Sequence, residues 1–164
     1  METTTATPRT YALLTLYDMH TDFFPRALEG IKDSDAHNRL NTKANHVAWL
    51  TGSLVQQRFE LAKDLGIERK QSAYELFCDN KGIQDDVIYP SLEQFKIDWK
   101  LITPILRKAM AGATDTQLDR TIAMPGMNMS FYELISFITY REANCIGQIA
   151  LWRRLLGYSA MNYM

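Results

Sequence analysis

Arg141 and Cys145 stand four residues apart in the run Tyr140-Arg141-Glu142-Ala143-Asn144-Cys145-Ile146-Gly147-Gln148-Ile149. On a helix, Ile138, Arg141, Cys145, Gln148, Trp152 and Leu155 follow at steps of three or four and share one stripe, which is expected to face inward. A guanidinium on such a stripe needs an anion, a carboxylate or several carbonyls, because an unpaired buried charge is costly. The plainer alternative puts Arg141 at the mouth of the interior, reaching water and pairing with an acid from another helix. Cys145, one turn away, is either a thiolate favoured by the neighbouring cation or a small buried apolar residue. His46 lies at four-residue steps from Thr42 and Leu50 and projects toward the same interior, as a hydrogen-bonded core or rim residue or as a ligand.

Zinc or nickel chemistry needs at least three protein ligands and an open position, with neutral imidazole or thiolate as suitable donors. His46 and Cys145 supply two. Arg141 carries no lone pair, and its charge opposes a nearby divalent ion. His20 and His37 complete a site only if the first helix or the corner at 36–40 turns them inward. Arg153 and Arg154 fall at the end of the last helix, where cations favour the helix dipole, so they need not form a phosphate site. Trp49, Trp99, Trp152 and the eight methionines read most simply as core.

Four long helices must position these residues. Leu13, Leu16, Tyr17, Phe23, Phe24 and Leu28 predict a first helix over 10–29, bent or interrupted near Pro25. A turn at 32–35 precedes a second helix over 37–64, carrying Val47, Leu50, Leu54 and Leu61 and ending at Gly66. The segment 67–90 loses the pattern apart from a short helix near 72–77 and a turn at 79–82, and forms a long crossover. Ser91 and Gln94 have capping-box spacing for a third helix with Phe95, Trp99, Ile102, Ile105 and Leu106 buried, closed by Gly112. Residues 118–129 suit an extended piece entering a turn at Pro125-Gly126. A second capping box at Ser130 and Glu133 opens the fourth helix, which Gly157 ends. No internal repeat and no strand–helix alternation is visible, so the fold class is all-α.

The chain has 164 residues with 46% hydrophobic content, which fits one domain over 1–164 with a core that needs no disulfide. Eighteen basic against 19 acidic residues give a net charge of −1, without the basic footprint that nucleic-acid binding requires. Met1 to Pro8 carries neither a cationic nor an apolar leader segment, and no stretch is long and apolar enough to span a bilayer. Cys78 and Cys145 form no C-x-x-C pattern and are expected as free thiols in a cytoplasmic protein.

Asn45-His46-Val47-Ala48-Trp49-Leu50, with Gly52, and Arg141 to Gly157, with Gly147-Gln148 and Arg153-Arg154, resemble the DinB/YfiT-like family over nearly the whole chain. The resemblance implies an antiparallel four-helix bundle with a long crossover between helices 2 and 3, often dimeric, with a metal at one end of the core. Members of that family take one histidine from the second helix and two, four residues apart, from the fourth. Here His46 matches the first, while Arg141 and Cys145 stand at the other two positions. The metal motif is therefore degenerate, and any zinc or nickel would rest on His46, Cys145 and a third group.

The leading expectation is a metal-independent bundle whose cavity, lined by His46, Arg141, Cys145 and Gln148, holds a small anionic molecule. One alternative is a residual metal-dependent thiol S-transferase of the kind found in that family. Another is a structural homodimer pairing through the fourth helix and the first.

Overall fold

The computed structural model describes residues 4–164; Met1 to Thr3, part of the opening stretch read above, lie outside it. Seven α-helices are present among the described residues, four of them long: α1 (Tyr11–Leu28), α2 (Asp33–Ala36), α3 (Val47–Asp64), α4 (Tyr74–Phe77), α5 (Leu92–Gly112), α6 (Asp115–Asp119) and α7 (Phe131–Leu155). Two short strands, β1 (Thr121–Met124) and β2 (Met127–Ser130), pair antiparallel around Pro125 and Gly126, with Gly126 at φ 82. The extended piece expected there is thus a hairpin on an otherwise helical chain.

Local chemistry explains the helix boundaries. At α7, Ser130 Oγ accepts from the Glu133 amide at 3.2 Å and the Glu133 carboxylate accepts from the Ser130 amide at 2.6 Å, the reciprocal capping box. At α5, Ser91 Oγ accepts from the Gln94 amide at 3.1 Å, but the Gln94 side chain turns to Asp98 instead of reaching back. Helix α1 continues through Pro25 without interruption. Proline cannot donate to the carbonyl four residues earlier, and that carbonyl, Thr21 O, accepts instead from Trp99 Nε1 at 3.4 Å.

The second helix starts ten residues later than its predicted position of 37. Leu40 and Asn41 adopt left-handed backbone at φ 47 and 57, which no helix tolerates, and α3 begins only after His46.

Side-chain contacts between the helices fix their directions. Helices α1 and α7 run the same way, since Arg9 lies over the Tyr132 ring, His20 meets Glu142 and Arg153 reaches the carbonyl of Ala27. Helix α3 runs against α7, with Asn45 beside Trp152 and Arg58 beside Glu142. Helix α5 runs against α1, through Asp18 with Arg107 and Phe24 stacked on Trp99. It therefore runs parallel to α3, and residues 65–91 must carry the chain back along the molecule. The core between these helices includes Leu14, Phe24, Leu54, Phe59, Phe95, Ile102, Leu106, Ile135 and Ile149. Among the described residues, no helix is long and apolar enough to cross a membrane.

Candidate functional site

The line of α7 that points at the core centres on Glu142, flanked by Ile135, Ile138, Cys145, Ile146 and Ile149. At about 100° per residue, a step of three falls roughly 60° short of a full turn, so the stripe read from sequence is two lines side by side. Ile138, Cys145 and Trp152, on the core line, are buried, whereas on the other line Arg141 is half-buried and Gln148 and Leu155 are exposed. Arg141 consequently faces α3 from the side. Its Nη1 donates to Gln57 Oε1 and its Nη2 to Ser53 Oγ, both at 2.6 Å. Ser53 and Gln57 are one turn apart on α3, so they receive the two prongs of one planar group.

Both acceptors are neutral. Among the described residues, no carboxylate forms an ion pair with Arg141. Two of its five N–H hydrogens are engaged, leaving roughly three for another partner. Beside it opens a cleft of ≈ 220 Å³ whose wall includes Trp49, Phe77 and Phe137, with Lys81 adding a second cation and Glu60 one acid. The rest of the wall is polar, including Ser53, Gln56, Gln57 and Asn80, so three aromatic rings meet converging hydrogen-bonding groups that could orient a small molecule.

The other expected residues do not converge on this cleft. His46 is the N-cap of α3, its Nδ1 accepting from the Trp49 amide at 3.1 Å. Its ring neighbours are His37 and Tyr89, with centroids at 5.2 and 5.3 Å. On α7 the level of His46 is that of Trp152, whose indole bonds to Asn45 O, about 10 Å along the axis from Cys145. Gln148 bonds to Asn144 of its own helix and faces solvent. Burial pushes the Cys145 thiol above its usual range, and the nearby Arg141 charge only partly opposes this, so Cys145 is a buried thiol and not a thiolate.

These residues do not fit a zinc or nickel ion. The Nδ1 lone pair of His46 is committed to the α3 amide, which leaves the proton on Nε2, and Cys145 lies about two turns of α7 away from the level of His46. Among the described residues, no three His, Cys, Asp or Glu side chains are grouped as such a site requires. His20 does turn inward, as one expectation required, but toward Glu142 and away from His46.

The cap has a measurable consequence. Burial, aided by His37, lowers the His46 pKa from 6.5 to about 4. Protonation removes the acceptor and places a cation at a helix N-terminus. The unfolded chain takes up its proton near pH 6.5 and the folded one only near 4, so stability is complete above 6.5 and falls as the pH drops toward 4. Between pH 7 and pH 5 the loss from this group is about 2 kcal/mol by linkage. Urea melts at the two pH values measure it, and His46→Asn, which keeps a cap without titrating, is expected to flatten most of the difference. An unchanged pH slope in that variant would refute the assignment.

Sequence reasoning missed a fully buried and fully bonded arginine. Arg58, on α3, is the largest fully buried side chain, with its guanidinium between the rings of Trp99 and Tyr17 at 3.4 and 3.9 Å. Its Nε and Nη2 donate to the two oxygens of Glu142 at 2.6 and 3.0 Å, and its Nη1 to Thr103 and Thr21 at 2.7 and 3.0 Å. His20 Nδ1 lies 3.2 Å from the same carboxylate. Although burial opposes ionisation, the Arg58 charge and the His20 contact hold the Glu142 carboxyl below its usual range. Arg153 is likewise matched: its Nη1 caps the end of α1 at Ala27 O and Glu29 O, at 2.9 and 2.8 Å. Compared with known proteins, the chain matches no family model and no curated protein.

Proposed function

We propose that this protein binds a small organic anion in the Arg141 cleft without a metal, on a DinB/YfiT-like four-helix bundle with a long crossover. The observation that carries the reading is the half-buried Arg141, held by two neutral acceptors and facing a cleft with donors to spare. A guanidinium oriented in this way presents a fork suited to a carboxylate. Glu60 in the same wall disfavours a multiply charged phosphate, while Trp49, Phe77 and Phe137 suit an apolar body attached to a single acidic group. The bundle reading is supported by the packing of each long helix against two others and by the return of the chain over 65–91. The DinB/YfiT-like likeness itself rests on the motifs around His46 and Arg141.

Titration calorimetry with acetate, benzoate and inorganic phosphate tests this reading. The expected result is saturable benzoate binding that Arg141→Gln weakens by at least about tenfold, the loss of one charged hydrogen-bonded contact. Binding that survives Arg141→Gln unchanged, or no binding of any of the three at millimolar concentration, would overturn it.

A further inference from the structure

The Arg141 cleft holds an acid as well as a base. Trp49, Ser53, Gln57 and Glu60 line it and follow at steps of three or four on α3. One face of that helix therefore carries both groups that hold the guanidinium and, about one turn beyond Gln57, a carboxylate.

Glu60 is exposed, but the groups behind it are not. Gln71 Nε2 donates to Gly52 O at 3.2 Å and to Gln56 Oε1 at 2.9 Å, and Gln56 Nε2 donates to Glu60 Oε1 at 3.0 Å. Gln56 and Gln71 are 5% and 3% exposed. A backbone carbonyl only accepts, so Gly52 O fixes which end of Gln71 is the nitrogen, and donors and acceptors then run one way through Gln56 to the carboxylate. Two buried amides thus orient Glu60 through one oxygen. Among the described residues, its other oxygen accepts no hydrogen bond and its charge meets no cation in an ion pair.

The cleft therefore presents a guanidinium with donors to spare and a carboxylate with an oxygen to spare, near each other on one helix face and not paired together. A simple carboxylate ligand answers only the first. An ammonium carried beside that carboxylate answers the second, and an α-amino acid bears both on one carbon. We propose that the ligand of the Arg141 cleft is a free α-amino acid with an apolar side chain. Its carboxylate lies on the Arg141 fork, its ammonium donates to Glu60, and its side chain packs against Trp49, Phe77 and Phe137. This assignment rests on the reading that Arg141 takes a carboxylate here.

The size agrees. A cleft of ≈ 220 Å³ falls below the roughly 300–1,000 Å³ of pockets for drug-sized ligands, which suits a single amino acid and excludes a nucleotide. Aromatic rings receive apolar carbon and also attract an ammonium over their faces. Lys81 does not call for a second acid on the ligand, because it is exposed at the rim and its Nζ donates to Glu75 O at 2.7 Å.

The test is titration calorimetry with L-phenylalanine and L-leucine, each beside the same molecule without its amino group, hydrocinnamate and isocaproate. At least one amino acid is expected to bind at least about tenfold more tightly than its analogue, the effect of one added charged hydrogen bond. Glu60→Gln keeps an acceptor for Gln56, so it is expected to leave the thermal melt unchanged, to erase the advantage of the amino acid and to leave the analogue bound no less tightly. Arg141→Gln is expected to weaken amino acid and analogue alike. Amino acids that bind no more tightly than their analogues, or an advantage that survives Glu60→Gln, would overturn the inference while leaving carboxylate binding at Arg141 in place. Failure of all four ligands to bind at millimolar concentration would overturn both.

Discussion

Replacing Arg58 by Met is expected to remove about 3–5 kcal/mol of stability, the usual consequence of leaving one member of a buried ion pair without its partner. The reason lies in what stays behind. Glu142 is 2% exposed, and without Arg58 its carboxylate retains only the His20 contact. It must then remain charged in a low-dielectric interior or take up a proton. The space between the Trp99 and Tyr17 rings is also left partly empty. Glu142→Leu alone strands the guanidinium and carries a similar cost, whereas the double variant Arg58→Met/Glu142→Leu removes both charges and is expected to cost less than either single change. Chemical denaturation of the three proteins gives the coupling energy directly. Single changes below about 1 kcal/mol, or a double variant equal to the sum of the two, would contradict the network as described. Because the Glu142 carboxyl is held below its usual range, its contribution is present above the ordinary carboxylate pKa and is lost as acid protonates it.

The helices at 92–112 and 131–155 are legible because their start signals are local: a serine that accepts an amide three residues ahead lies next to the apolar run it caps. The start of α3 is not legible in the same way. Its cap is a histidine, a residue type that does not signal caps, and the loop before it holds a helix former, Leu40, in left-handed backbone. The Arg58 network is invisible to spacing because its members come from α1, α3, α5 and α7, and only the fold sets them side by side. One signal does exist in the chain. Glu142 sits in the middle of the apolar line from Ile135 to Ile149, and Arg58 sits between Val55 and Phe59, so each charge interrupts the face that must be buried. Arg141 drew attention by its spacing to Cys145 and proves to lie one position off the core line, half-buried beside the cleft.

The two arginines define each other. Arg58 is fully buried and every group it meets is matched, which is what a structural guanidinium requires. Arg141 is half-buried and bonded to two neutral acceptors, which orient the group without neutralising it. A fixed charge left unneutralised at the rim of a cleft is poorly explained by stability, since water or a carboxylate would serve the fold better. It is well explained by binding, where the acid arrives with the ligand.

Gly52→Ala is expected to destabilise the protein by about 2–3 kcal/mol, against a gain of about 1 kcal/mol that alanine normally brings to a helix interior. A Cβ at this position would lie 2.1 Å from Phe77 Cζ, 2.5 Å from Phe77 Cε2 and 2.8 Å from Phe95 Cε1. Neither ring has room to move, as Phe77 is 4% exposed and Phe95 is fully buried. The same stretch of α3 receives the crossover, because Gln71 Nε2 donates to Gly52 O at 3.2 Å. A methyl group here therefore pushes the 65–91 segment off α3 and shifts Phe77, one wall of the Arg141 cleft. The test is a comparison of backgrounds: in Phe77→Leu, which shortens the opposing side chain, Gly52→Ala should lose most of its penalty. If the penalty is the same in both backgrounds, the contact with Phe77 is not its cause. If it vanishes only with Phe77→Leu, the close approach at Gly52 is what seats the crossover and shapes the cleft.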